Sequence, residues 1–447
     1  MITIAEPNDS IDKLWGKQKV REVETYRLMR YVLRVDHEDK VLLHNVVTGR
    51  LAVLDREEAE ALETLPGPYI PAMEQLVTEH YLVPENYDEH QQTVSLRTIL
   101  RKIADAHESK EIYRYTILPT TDCNARCYYC YEHGIHPETM TEQTAELVID
   151  FIKNQYKGHP IRIRWLGGEP TLAAHRIDQI CNGLKQRGVK FSSWIISNGY
   201  LFDEGMIERS KRLWNLVHAK ISVDGTRETY NRVKAFRAVK EDPYQRVIRN
   251  IGTFLNHGIH VLVSMNVDRR NYQEFRDLLF ELKELYQQNP LLQVRPHQLM
   301  PNYLKVNQAV VPDAEEAWYQ EKLFDLKKLA QTEGFLFQAE EELPSLRIQW
   351  CEAAKYGTAV IMPDGRMVKC PEQLADDQVI GDVIGGITNE KRVMAWRQFA
   401  DYERCRNCPL FPYCPRIQQC GSQGRCYEIK ERMSQFRYQI ERFAEAL

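Results

Sequence analysis

Eleven cysteines are placed so unevenly along this 447-residue chain that they restrict its fold more than any other feature. Three stand together as Cys123, Cys127 and Cys130, Cys181 is alone, and seven fall between Cys351 and Cys426. The number is odd. Met1 to Ser10 has neither the basic nor the apolar stretch of an export signal. Structural disulfides are therefore not expected, and metal or redox chemistry is the default use of thiols grouped in this way. No apolar run approaches the roughly 18 residues of a membrane helix. Together these features predict a soluble, cytoplasmic protein without a membrane partner.

Lys and Arg total 59 against 63 Asp and Glu, a net charge of −4 that excludes a basic nucleic-acid footprint. With 43% hydrophobic residues the chain can bury a large core, so disorder is excluded as its main state. Its length predicts about three domains.

The first hundred residues read as a small separate unit. Tyr31–Val35, Val41–Asn45 and Arg50–Leu54 are strand-like, with turn residues between them. Asp55 and Glu58 have the spacing of a capping box, so a helix starts there. Helices near Ala72–Glu79 and Ser95–Ala106 follow. The third strand is expected as an exposed edge that accepts an extended peptide. An oligomerisation or purely structural unit is the alternative.

From Ile112 the pattern alternates. Strands are expected at Ile112–Leu118, Ile161–Trp165, Ser193–Ser197, Ala219–Val223, His260–Val267 and Gln293–His297. Helices are expected between them, such as Thr141–Tyr156 and Arg246–His257. Repeated strand–helix units imply a parallel sheet, and six are too few for an eightfold barrel. Function in such folds sits at the C-terminal ends of the strands. Residues 303–345 read as a helical connector, and Tyr427–Leu447 as a terminal helix. The cysteine-rich segment between them needs metal crosslinks to hold its shape.

Cys123-x3-Cys127-x2-Cys130 directly follows the first of the six strands. Three thiolates on a short loop hold three irons of a [4Fe–4S] cluster and leave the fourth open. A structural zinc site wants four protein ligands. Leu166-Gly167-Gly168-Glu169-Pro170 follows the second strand, Ser197-Asn198-Gly199 the third, and Ser222-Val223-Asp224-Gly225 the fourth. Each short segment alone is compatible with an ordinary turn.

In this order, the segments resemble the signature of the radical S-adenosylmethionine (SAM) superfamily. The resemblance implies a partial (β/α)6 barrel over residues 108–302. It implies that Cys123, Cys127 and Cys130 bind a [4Fe–4S] cluster. Gly167, Gly168, Glu169, Ser197, Asn198, Ser222 and Asp224 are then expected around SAM. Tyr129 is expected beside adenine, with Leu299 offering backbone atoms, while Tyr128 and Tyr131 are packing or cleft residues. Reduction of SAM by the cluster would release a 5′-deoxyadenosyl radical.

The later cysteines resemble the SPASM domain, which carries two auxiliary [4Fe–4S] clusters and would occupy residues 346–447. By that resemblance Cys405, Cys408, Cys414 and Cys426 hold one cluster, and Cys351, Cys370 and Cys420 the other. Five residues separate Cys414 from Cys420, where the usual pattern has three. Zinc is the alternative for these seven. Cys181 is expected to be a buried thiol.

Residues 1–107 resemble the winged-helix-like β3α3 recognition element of enzymes that mature ribosomally made peptides, with a helical bridge at 303–345 before the SPASM domain. The function implied is hydrogen abstraction from a precursor peptide and installation of a carbon–carbon or thioether crosslink. The peptide leader would lie beside Arg50–Leu54, and flavodoxin or ferredoxin would supply electrons. Alternatives are a sulfatase-type maturase forming formylglycine and a non-catalytic, metal-stapled binding protein. No residue stands out as a catalytic base. Arg295 and His297 read as strand-end packing residues or as cleft residues.

Overall fold

The computed structural model describes residues 2–3, 9–130, 132, 134–299, 313–335, 343–348, 351–399, 401–414, 417–418 and 429–445. Its centre is a parallel sheet of six strands that pair in chain order: Arg114–Ile117, Ile161–Trp165, Phe191–Ser197, Leu216–Ser222, His260–Val267 and Leu292–Gln298. The first and last do not pair with each other, as a partial barrel requires.

Alternation along these strands decides which face meets the helices. In Phe191–Ser197 every second residue is buried and those between are half-buried. The buried set packs against amphipathic helices such as Glu142–Gln155, which turns Ala145, Val148, Ile149 and Ile152 inward. The other face stays partly open, unlike that of a parallel sheet covered on both sides. Beyond the first strand the sheet is extended by Thr358–Ile361, parallel to Arg114–Ile117, and then by three short antiparallel strands.

The N-terminal unit differs from its expectation in three ways. Its strands Val32–His37, Lys40–Asn45 and Leu51–Asp55 are present, and Asp55 and Glu58 cap the helix Arg56–Glu63 reciprocally. Residues outside the expected pattern add a helix, Asp9–Trp15, and a second sheet built on Thr25–Leu28. The edge at Leu51–Asp55 is also not open: Ile2–Thr3 pairs antiparallel with Ala52 and Val53. The sheet's other edge, Val32–His37, has no further strand partner among the described residues.

The unit is not separate either. One face of its sheet packs under its own helices together with Leu346 and Phe411. The other face holds Leu410, Tyr413, Phe436 and Ile440, from the cysteine-rich segment and the terminal helix Ile429–Glu445. A small sheet with apolar residues on both faces must be covered on both, and residues some 400 positions later supply one cover. In the connector the helix spans Asp313–Thr332; much of the rest of that stretch lies outside the described residues. Among the described residues no helix is long and apolar enough to cross a membrane.

Candidate functional site

The loop carrying Cys123, Cys127 and Cys130 leaves the first barrel strand and is held on both sides. Gly168 N–H donates to Thr120 O (3.2 Å) and Glu169 N–H to Asp122 O (2.8 Å), so the strand-two loop lies directly on it. Only glycine permits that approach. A Cβ on Gly167 would fall 2.1 Å from Thr120 O, and one on Gly168 2.2 Å from Asp122 O. Gly167 also has φ +137°, a conformation other residues rarely adopt. On the other side the helix Arg227–Lys234 ends against the loop, with Arg126 N–H donating to Lys234 O at 2.8 Å.

Glu169 is buried, and its carboxylate accepts from Thr171 N–H (3.1 Å), Thr171 Oγ1–H (2.6 Å), Ser197 Oγ–H (2.8 Å) and Asn198 N–H (2.8 Å). Burial still pushes its pKa up. Asn198 Nδ2 in turn donates to Asn124 Oδ1 (2.8 Å) inside the cysteine loop. Glu169, Ser197 and Asn198 therefore form one brace joining strand ends two and three to the loop.

A second brace joins strands four and five. Asp224 is fully buried and ion-paired with Lys234 Nζ at 2.7 Å. It accepts from Tyr129 O–H and from Asn266 N–H (2.9 Å) and Nδ2 (3.0 Å). Lys234 Nζ also donates to Ser222 Oγ (2.8 Å) and Tyr129 Oη (2.9 Å). Tyr129 is thus tethered by its hydroxyl. Tyr128 donates to Asp268, and the Arg270 guanidinium lies 4.4 Å over its ring. Tyr131 lies outside the described residues. Asn124, Lys234, Asn266 and Asp268 escaped the sequence reading, because an isolated Lys or Asn on a helix or strand carries no spacing signal.

Burial pushes the Cys123 thiol up to about 12 and Cys130 to about 11. It raises Cys127 as well, with the Lys234 cation opposing. Such thiols are neutral until a metal displaces their protons. Cys123 lies within electrostatic reach of both other thiols. Among the described residues, no three Cys, His, Asp or Glu side chains converge on one point as ligands of a single ion. Three cysteines of one loop can each ligate a different iron of a polynuclear cluster. Asn124 Nδ2, in the same loop, is buried with no hydrogen-bond partner among the described residues. The donor set therefore fits an iron–sulfur cluster.

Leu299 is buried just past the sixth strand. Cys181 is buried in the helix Ala174–Gln186. Cys351 and Cys370 pack together around Ala353, Ala354, Trp396 and Ile417. Cys405 and Cys408 pack against the N-terminal core. The buried Arg97 guanidinium lies within electrostatic reach of Cys405 and Cys414 and donates to Phe411 O (2.6 Å) and Pro412 O (2.9 Å). Cys420 and Cys426 lie outside the described residues.

Residues 117–282, from the first barrel strand to the helix after the fifth, match the family model of the radical SAM superfamily. The chain carries a radical SAM domain. Proteins of this superfamily bind a [4Fe–4S] cluster and SAM. Over 95 residues the chain is 26% identical to a Methanococcus maripaludis protein named "Probable GTP 3',8-cyclase". The match covers 21% of this chain and spans 31% of that relative's length.

Solved structures that share the fold include the following two. Native anSMEcpe with bound AdoMet and Cp18Cys peptide aligns with a TM-score of 0.57 at 16% identity, covering 75% of this chain and 99% of that one. Streptococcus suis SuiB bound to precursor peptide SuiA aligns with a TM-score of 0.52 at 15% identity, covering 87% and 94%.

Proposed function

We propose that this chain is a radical SAM enzyme that modifies a ribosomally made precursor peptide, installing a carbon–carbon or thioether crosslink within it. The observation that carries the reading is the strand-end assembly: a three-cysteine loop fixed between the Gly167-Gly168-Glu169 segment and the Asp224–Lys234 pair. Peptide substrates are supported by the fold shared with SuiB bound to SuiA and with anSMEcpe bound to a peptide.

Cys123, Cys127 and Cys130 would hold the first [4Fe–4S] cluster, with Gly167, Gly168, Ser222 and Tyr129 lining the space for SAM. When bound, this pair supplies a 5′-deoxyadenosyl radical by one-electron reduction. Glu169, Ser197, Asn198 and Asp224 act chiefly as braces, because their polar atoms are already engaged. Such braces keep the reacting geometry from relaxing. The later cysteines would hold two auxiliary clusters, with an acidic electron carrier such as flavodoxin or ferredoxin as donor. The N-terminal unit would receive the leader, and Val32–His37 offers the ladder edge that Leu51–Asp55 does not.

The test is anaerobic reconstitution of the whole chain, with iron and sulfide counted and SAM cleavage followed. Iron for about three clusters, and 5′-deoxyadenosine on reduction, support the reading. Bound zinc without iron, or no cleavage, overturns it. Incubation with a precursor peptide and mass spectrometry then separates a crosslink from formylglycine.

A further inference from the structure

The open face of the parallel sheet carries cationic charge that the braces above do not use. In a parallel sheet, aligned residues share a face. Ser222 aligns with Ser264, and Ser264 with Arg295, so Arg295 stands level with Ser222 on that face. Lys220 is two residues before Ser222 on the same face, roughly 7 Å deeper. His297 is two residues beyond Arg295 and aligns with Asn266. Arg164 joins them from strand two, its guanidinium 5.2 Å over the Trp194 ring.

These cations are unequally neutralised. Arg164 reaches Glu352 at 3.7 Å, and Arg114 pairs with the same carboxylate. Toward strands four to six, no carboxylate among the described residues answers Lys220 or Arg295. Burial, and then the charges of Arg295 and Arg164, push Lys220 below the ordinary lysine range. The buried His297 Nε2 has no hydrogen-bond partner among the described residues. Like charges gathered on a half-buried face repel one another, and an anion placed between them relieves that repulsion.

We propose that Lys220 and Arg295, with His297 as a neutral hydrogen-bonding partner, bind the side-chain carboxylate of an aspartate or glutamate in the peptide substrate. This rests on the peptide-modifying reading above and names its substrate class: a core segment with an acidic residue next to the residue that reacts. Arg295 presents a planar fork suited to a carboxylate, and Lys220 a compact charge beneath it. The acid would enter past the strand ends and anchor the segment below the level of Ser222.

The test is fluorescence anisotropy on the reconstituted full chain with labelled octaglutamate and octaglutamine peptides. Octaglutamate should bind at least about tenfold tighter, a difference of about 1.4 kcal/mol. The Lys220→Met/Arg295→Met double variant should lose that preference while binding octaglutamine as before. The charge-conserving Lys220→Arg/Arg295→Lys variant should keep it. Should the double variant fail to fold, Arg295→Gln, at an exposed side chain, should still weaken octaglutamate about threefold.

Equal binding of the two peptides, or an unchanged preference in the methionine variant, overturns the proposal. So does displacement of octaglutamate by free SAM, which would assign these cations to the cofactor's carboxylate, or by inorganic phosphate at matched ionic strength. The binding readout does not depend on SAM cleavage, so failure of the radical reading and failure of this site are told apart.

Discussion

The two cysteine-bearing regions are held in place by different physics. The loop at Cys123–Cys130 is clamped by strand-end loops of its own sheet, through backbone hydrogen bonds and two buried carboxylates. The region from Cys351 to Cys414 adds short strands to the edge of that sheet, but its cysteine-bearing ends are held by a distant part of the chain. Arg97 and Arg101, on the helix Glu89–His107, donate to carbonyls of Ile348, Ala354, Phe411 and Pro412. Phe411 and Tyr413 insert on either side of the N-terminal sheet. The first region carries its own framework, whereas the second borrows one. Damage to the first should therefore act locally on chemistry, and damage to the second should act through the interface with residues 1–107.

The largest effect is expected from Cys123→Ala/Cys127→Ala/Cys130→Ala. SAM cleavage should vanish and iron should fall by about four atoms per chain, with the auxiliary clusters retained. Loss of all iron would show that the two regions are not independent. Lys234→Met comes next. It leaves Asp224 buried without its cation, at a cost of about 3–5 kcal/mol, read as a lowered thermal midpoint.

The borrowed framework should respond to pH. His44 is fully buried and donates from Nε2 to Pro344 O at 2.7 Å, joining the N-terminal sheet to the connector. Burial lowers its pKa from 6.5 to about 4. The unfolded chain therefore binds the proton first, and stability falls as pH drops from about 6.5 to 4. The slope is about 1.4 kcal/mol per unit, seen in denaturant titrations and blunted in His44→Gln.

Gly168→Ala should cost about 1–3 kcal/mol, because its Cβ meets backbone rather than a side chain that can swing away. Reduced iron incorporation would locate the damage at the cysteine loop. The smallest effect is expected on deleting residues 1–3. Two ladder pairs are lost and stability should change by less than about 1 kcal/mol. Hydrogen exchange should nevertheless quicken at Val53, whose amide faces Ile2, and not at Ala52, whose amide faces Leu43. Unchanged exchange at Val53 would mean that the strand does not protect this edge in solution.

Local order was legible where one residue set its own surroundings. The six barrel strands, the Asp55–Glu58 capping box and the helices expected at Thr141–Tyr156 and Arg246–His257 follow from alternation and spacing. Also legible was the order of the glycine and polar segments after successive strands. What the sequence hid was reciprocal. No local pattern foretells that the Glu169 carboxylate accepts from Thr171, Ser197 and Asn198. Lys234, which completes the Asp224 brace, lies in a helix whose periodicity says nothing of a buried cation. The covering of Leu51–Asp55 by Ile2–Thr3 and the burial of the N-terminal sheet under Phe436 and Ile440 depend on contacts across 50 to 400 residues. No local pattern encodes those.

The pairing of Thr358–Ile361 with Arg114–Ile117 has a consequence for synthesis. The first barrel strand leaves the ribosome about 240 residues before the strand that covers its outer edge. At a translation rate of about 5–20 residues per second, that edge waits roughly 12–50 s with its amides unpaired. A nascent chain in that interval presents an open template for intermolecular pairing. Slowing translation between residues 118 and 357 should therefore lower soluble yield, whereas slowing it after residue 361 should not.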